Sequence, residues 1–315
     1  MQADRHLLVE AEAVCVEAVR QASAVLMEYF RTPLAVEFKE KGQQAPVTEA
    51  DRHAEALLRR ALTRAFPSHG IVAEEDETAV NAAADYLWFL DPLDGTANFA
   101  AGLPAFAVSA GLCYRGTPVL GVIAIPGEGA AGTLLRAHWG GGAYCNDRRI
   151  HVAAEDVPAG TQLVSMPFWF LRQYRLRHGA QVWRWNVRAH GSIAYELGYT
   201  ACGALQLAII SGARLWDMVA GVVLVHEAGG MAVFGNARVR RWCAWEAFVQ
   251  RALDGPFGQN PAALRALRVH LLAGNPRLVQ QRAQQIRLRM TPWLLRQVRR
   301  RWRQLRPRRT QAADA

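Results

Sequence analysis

Two aspartates three positions apart, Asp91 and Asp94, close the apolar run Tyr86-Leu87-Trp88-Phe89-Leu90 and lead directly into Gly95 and Thr96. The run reads as a short buried strand that carries both carboxylates to its end. Pro92 stiffens the step between them, and Gly95 lets the backbone turn sharply into a helix start. Carboxylate oxygens are what hard divalent cations such as Mg²⁺ prefer, and the N–H groups of Gly95 and Thr96 suit phosphate oxygens. Asp, Gly and Pro also make ordinary polar turns. Whether other carboxylates converge on the motif decides between the two readings.

The elements that must position these groups are legible from periodicity. Leu7, Leu8, Ala11, Val14, Ala18, Ala22 and Leu26 predict a long amphipathic helix over 4–30, and Arg52 to Phe66 a second, broken by Pro67-Ser68-His69-Gly70. Between them a polar hairpin-like stretch spans Phe38 to Gln44. Ile71-Val72-Ala73 is a short strand, and Ala105 to Ile125 two antiparallel strands divided at Arg115-Gly116 and Pro118. Gly140 to Cys145 makes a further strand ending in a turn at Asn146-Asp147. In the second half Leu163 to Met166 reads as a strand, followed by an irregular Trp- and Arg-rich segment. Helices follow over Ile193 to Ser211 and Asp217 to Ala228, the latter stopped by Gly229-Gly230. A helical, Trp-containing excursion covers 242–270, and His270 to Ala273 is a last core strand.

Three more acidic residues stand where elements begin or end: Asp51 after Pro46-Val47-Thr48, Glu74 after Ile71-Val72-Ala73, and Asp217 after Leu215-Trp216. Each by itself reads first as a helix cap or a solvated charge. Four segments taken in order are more specific: Pro46-Val47-Thr48-Glu49-Ala50-Asp51; Glu74-Glu75; Trp88-Phe89-Leu90-Asp91-Pro92-Leu93-Asp94-Gly95-Thr96-Ala97-Asn98-Phe99; and Leu215-Trp216-Asp217-Met218-Val219-Ala220-Gly221 with Glu227-Ala228-Gly229-Gly230. Together they resemble the inositol monophosphatase family over roughly residues 5–285.

The resemblance implies an α/β (α+β) fold of the inositol monophosphatase and fructose-1,6-bisphosphatase type, layered α-β-α-β-α and commonly a homodimer. It implies a Mg²⁺-dependent, Li⁺-sensitive phosphomonoesterase acting on a small phosphomonoester, with inositol monophosphate as the default substrate. Glu74, Asp91 and the Leu93 carbonyl are then ligands of a first Mg²⁺, and Asp91, Asp94 and Asp217 of a second. Glu74 also helps to hold a third ion through water. Asp51 and the Thr96 hydroxyl orient and deprotonate the attacking water, and Gly95 and Thr96 hold the phosphate. Asp94, Gly191, Ser192, Ile193 and Arg214 face the body of the substrate.

Elementary chemistry agrees with this assignment. A doubly negative phosphomonoester repels hydroxide, so its charge must be neutralised before water attacks. Two ions roughly 3.5–4 Å apart do this, lower the pKa of bound water and stabilise the leaving alkoxide. Crowded carboxylates repel one another without metal, so the Mg²⁺ form is expected to be the more stable. The nine histidines include no H-x-x-x-H or H-E-x-x-H frame, so His190 and His226 read as core or surface residues rather than zinc ligands.

Three departures concern specificity. Ala45 stands where many inositol-type members are acidic. The stretch Gly191-Ser192-Ile193-Ala194 has a bulky residue where a small one usually meets the ring. The segment Ser211-Gly212-Ala213-Arg214-Leu215 is too short to carry the glutamate that binds ring hydroxyls in inositol-specific members. Arg214, the nearest polar group there, suits a substrate with a second anionic group, although a surface arginine is the plainer reading. Histidinol phosphate and 3′-phosphonucleotides are therefore alternative substrates.

A chain of 315 residues with mean hydropathy near zero can bury a large core. Expected domains are 1–150, carrying most metal ligands, 151–285, completing the site, and an extension over 286–315. No apolar run is long enough for a membrane span, no secretory signal is visible, and Cys15, Cys113, Cys145, Cys202 and Cys243 form no C-x-x-C pair, which together indicate a cytoplasmic protein. The net charge of +10 is localised: residues 286–315 hold ten arginines and one aspartate. There Leu294, Val298, Trp302 and Leu305 form one helical seam after Pro292, with Arg296, Arg299, Arg300, Arg301 and Arg303 around it and Pro307 beyond. This extension reads first as a solvated or partner-packing tail, second as a peripheral binder of anionic membrane surfaces, and third as a nucleic-acid contact. A protein of another class, acting through this tail on RNA, a polymerase or a membrane, is the competing reading.

Overall fold

The structure, a computed structural model, describes residues 3–32, 36–38, 46–129, 132–154, 163–168, 174–176, 185–236, 238–239 and 241–288. The arginine-rich residues 289–315 and the link across 39–45 lie outside these. Two long helices open the fold, α1 (Arg5–Tyr29) and α2 (Glu49–Ala65), separated by the short antiparallel pair β1 (Val36–Phe38) and β2 (Pro46–Thr48). Asp4 caps α1 by accepting from the His6 N–H.

A seven-stranded sheet follows in the order of the chain: β3 (Gly70–Ala73), β4 (Tyr86–Asp94), β5 (Ala107–Tyr114), β6 (Thr117–Ile125), β7 (Thr133–His138), β8 (Gly142–Cys145) and β9 (Arg148–Arg149). Only β3 and β4 run parallel; the other pairs are antiparallel. The short α3 (Thr96–Ala100) leaves the end of β4. A second sheet is ordered β12 (Asn186–Arg188), β10 (Leu163–Ser165), β13 (Leu207–Ala213), β15 (Val269–Gly274), β14 (Met231–Gly235), and β11 (Tyr174–Leu176) pairs with β16 (Ile286–Leu288). Among the described residues the remaining helices are α4 (Ile193–Ala201), α5 (Leu215–Glu227), α6 (Trp245–Ala252), α7 (Pro261–Ala266) and α8 (Pro276–Gln285).

The pleat sorts side chains into layers. On β4, Trp88 and Leu90 join α1 and α2 in one buried cluster, while Leu87 and Phe89 join α4 and α5 in another. On β13, Ala208 and Ile210 complete that second cluster, and Leu207 and Ile209 face outward with Val279 of α8 and Ile286. The result is the expected α-β-α-β-α sandwich, with α4 and α5 between the sheets. Close approach there depends on Gly121 of β6, where an added Cβ would stand 2.7 Å from the Ala220 Cα of α5.

Two sequence expectations change. The helix expected over Ile193 to Ser211 ends at Ala201; Gly203 turns the chain at φ +76°, and 207–213 is strand β13. Leu207-Ala208-Ile209-Ile210 is buried on both faces between β10 and β15, so it lacks the alternation that marks a half-buried strand. The extension expected from residue 286 begins inside the fold, because Ile286 is fully buried and accepts from Trp242 Nε1 at 2.8 Å. Among the described residues, no helix is long and apolar enough to cross a membrane, and the five cysteines are free thiols.

Candidate active site

The end of β4 is where the acidic residues meet. Between Asp91, opposite Ser109, and Asp94, opposite Ala107, the pairing with β5 shifts register, and this irregularity re-aims Asp94. Asp91 is 1% exposed, and its Oδ1 accepts from the Leu93 N–H at 3.0 Å. The Leu93 carbonyl accepts from Thr96 Oγ1 at 3.1 Å. Gly95 sits at φ +95°, and a Cβ there would stand 3.0 Å from the Ala105 carbonyl oxygen and 3.1 Å from Ser192 Cβ. Both conditions call for glycine.

Asp94 reaches across to the other half of the chain. Its Oδ2 accepts from Ser192 Oγ at 2.8 Å and from the Ala194 N–H at 2.5 Å. Ser192 also caps α4 by accepting from the Tyr195 N–H. Gly191, at φ +80°, is placed by Asn98, whose Nδ2 donates to the carbonyls of Ala105 and His190, each at 2.6 Å. Asp217 lies in the first turn of α5, where its Oδ2 accepts from the Arg214 N–H at 2.7 Å. Asp51 is buried in the first turn of α2, and Glu74 follows β3, its N–H bonded to the Leu90 carbonyl at 3.1 Å.

Electrostatics ties these positions into one cluster. Burial, then the charges of Glu74, Asp94, Asp217 and Asp51, hold the Asp91 carboxyl well above the usual carboxylate range. Burial pushes Asp94 up to about 7, with Glu74 and Glu196 adding to it and the Ala194 and Ser192 hydrogen bonds opposing it. Asp217 is raised by burial, then by Asp94 and Glu74, and is relieved only in part by Arg214. Carboxylates brought together out of water in this way need a compensating positive charge.

The donor set is all oxygen, which suits a hard divalent cation rather than zinc. Among the described residues no three His, Cys, Asp or Glu side chains already close on one ion. Asp91, Asp94 and Asp217 each accept from a backbone N–H instead. A cation would have to draw oxygens away from these partners or share them.

Of the predicted residues facing the substrate, Ser192 and Gly191 stand beside Asp94, and Ile193 packs against the core cluster between the sheets. The Arg214 side chain is already engaged: Nη1 donates to the Arg265 carbonyl, and the guanidinium lies 5.7 Å over the Trp216 ring. The sequence reading missed three residues that hold the site. Asn98 lies inside the Trp88–Phe99 segment without an expected role, and Glu55 stands one helical turn after Asp51, a spacing that could have suggested it. Arg265 carried no sequence signal.

This fold and this acidic cluster define a class, and the comparisons give it a name. The family model for the inositol monophosphatase family matches residues 8–243, and the chain belongs to that family. The inositol-1-monophosphatase of Rhizobium meliloti is 36% identical over 225 residues, 69% of this chain and 82% of that one. Nus factor SuhB of Escherichia coli K12 is 34% identical over 224 residues, 69% and 82% of the two chains. Phosphatase IMPL1, chloroplastic, of Arabidopsis thaliana is 34% identical over 225 residues, and the match spans 59% of its length. Among solved structures, the extragenic suppressor protein SuhB of Bartonella henselae superposes with a TM-score of 0.65 at 26% identity, covering 87% of this chain and 97% of that one. The inositol monophosphatase of Anabaena gives 0.62 at 28% identity, covering 88% and 95%.

Proposed function

We propose that this protein is a Mg²⁺-dependent phosphoric monoester hydrolase with inositol monophosphate as its default substrate. The observation that carries the reading is the convergence of Asp51, Glu74, Asp91, Asp94 and Asp217 on the buried end of β4. Glu74, Asp91 and the Leu93 carbonyl would hold one ion, and Asp91, Asp94 and Asp217 a second, with Glu74 contributing to a third through water. When bound, Mg²⁺ supplies charge neutralisation and an acidified water.

The chain's own groups then have distinct tasks. Gly95 and Thr96 N–H groups bind phosphate oxygens at the turn that the left-handed Gly95 creates. Asp51 and the Thr96 hydroxyl orient the attacking water as a pair, and the Asp51 carboxylate takes its proton. Asp94 shares its carboxylate with Ser192 and Ala194, which links the reacting centre to the wall formed by Gly191, Ser192 and Ile193. Asn98 and the register shift of β4 hold that wall in place.

The test is phosphate release from inositol monophosphate, histidinol phosphate and a 3′-phosphonucleotide, each with Mg²⁺, with chelator and with Li⁺. Mg²⁺-dependent, Li⁺-inhibited release that is fastest from inositol monophosphate is expected. Faster release from another ester would move the substrate assignment, and no Mg²⁺-dependent release from any ester would end the phosphatase reading. A second reading, a binding protein, draws on the Nus factor names of the SuhB relatives. Loss of every partner interaction in a catalytically normal tail-truncated chain would favour it as an additional role.

A further inference from the structure

Arg265 lies on α7, beyond residues 8–243 that the family model matches, yet it reaches into the site. The segment that carries it is firmly seated. Leu264 and Leu267 are buried in the core cluster between the sheets, Asn260 caps α7, and Trp245 Nε1 donates to the Gly116 carbonyl at 2.6 Å. From this base the guanidinium donates to three backbone carbonyls at the exit of β3: Nη1 to Ala73 and to Asp76 (3.4 Å), and Nη2 to Glu74 (2.9 Å).

The backbone hydrogen bonds of that exit are divided between two side chains. The N–H groups of Glu75 and Asp76 go to the Glu55 carboxylate at 2.7 and 2.8 Å. The carbonyls of Ala73, Glu74 and Asp76 go to Arg265. Glu55 therefore grips the loop from α2, and Arg265 grips it from the opposite half of the chain. The same guanidinium lies 5.0 Å over the ring of Trp216, the residue before Asp217, and the Arg265 carbonyl accepts from Arg214, the N-cap of α5.

We propose that Arg265 is a positioning residue that fixes the Glu74 loop against the Trp216–Asp217 start of α5, so that Glu74 and Asp217 are presented together to a divalent cation. The inference rests on the phosphatase reading above. Only a planar fork can span several carbonyls while stacking on an indole, so lysine is a poor substitute.

The sign of the effect separates positioning from simple charge. Arg265 brings a positive charge toward an acidic cluster. If charge were its whole contribution, Arg265→Gln would tighten cation binding and Arg265→Lys would leave it unchanged. Positioning predicts that both variants bind more weakly, by about tenfold, the lower end of what loss of a supporting partner costs a metal site.

The experiment titrates Mg²⁺ into the full chain and the R265K and R265Q variants by calorimetry. In parallel it records the Mg²⁺ concentration for half-maximal phosphate release and the substrate KM at saturating Mg²⁺. The expected result is weaker Mg²⁺ binding in both variants, a matching rise in half-saturation, and a KM within about twofold of the parent. Unchanged or tighter Mg²⁺ binding in either variant overturns the proposal. If R265Q does not fold, as judged by its melting transition, R265K alone decides. A parent chain that binds no Mg²⁺ overturns the phosphatase reading, and the proposal falls with it.

Discussion

Asp94 serves both halves of the site, accepting from Ser192 and Ala194 while standing beside Asp91 and Glu74. Asp94→Asn keeps the shape and removes one buried negative charge. Mg²⁺-dependent phosphate release is expected to fall by about a hundred- to a thousandfold, as for loss of a principal catalytic electrostatic partner, with the melting temperature equal or higher. Near-normal turnover would refute the metal assignment. A second residue sets a pH response away from the site. His69 Nδ1 accepts from Trp88 Nε1 at 3.2 Å between the rings of Phe66 and Tyr86, and burial lowers its pKa from 6.5 to about 4. The unfolded chain takes up this proton near pH 6.5 and the folded one near 4, so the contribution is complete above 6.5 and lost as pH falls toward 4. Its full size is on the order of 3 kcal/mol for a fall from 6.5 to about 4. Urea unfolding of His69→Gln from pH 7 to 4 is expected to show a flatter profile than the parent; parallel profiles would remove His69 as the cause.

The elements that carry the carboxylates depend on tight contact between α5 and the large sheet. At Gly121 of β6 an added methyl would press on the Ala220 backbone, and at Gly111 of β5 it would stand 2.5 Å from Val219 Cγ1. Gly121→Ala is therefore expected to cost about 2–3 kcal/mol by overpacking, read as a lower urea midpoint at unchanged slope. Because Asp217 lies in the first turn of α5, activity should fall with it. A midpoint within error of the parent would mean that the layers can part there without cost. The element scale is also where sequence reading was weakest. Periodicity delivered α1, α2, β4 and the β5–β6 pair, since each has one clear apolar face or a turn signal at its end. It failed on 207–210, because a strand buried on both faces and a buried helix share the same continuous apolar pattern.

At the scale of the molecule, the C-terminal boundary decides what a truncation tests. Ending the chain after Gln284 deletes Ile286, which is fully buried, and the pairing of β16 with β11. That truncation is expected to destabilise the fold by about 2–5 kcal/mol, the range for emptying a buried Ile site, and to confuse any binding assay. Ending it after Leu288 keeps the strand and removes nine of the ten arginines in 286–315. On the membrane reading of the tail, salt-sensitive co-sedimentation with anionic liposomes would be lost with it. Undiminished co-sedimentation would dismiss the membrane reading of the tail.

By itself the sequence determined the family, the layered fold and the identities of the acidic residues. The proposed ligand chemistry requires particular residue types in a fixed local order, and that order is written along the chain in the segments around Asp51, Glu74, Asp91-Pro92-Leu93-Asp94 and Asp217. Only the tertiary structure decided what supports them. Glu55 and Arg265 hold the same loop from positions more than 200 residues apart, and Asn98 joins the β4 turn to Gly191 through a backbone carbonyl. Such partners bond to main-chain atoms, which every residue possesses, so nothing in the local sequence announces them until the chain is folded.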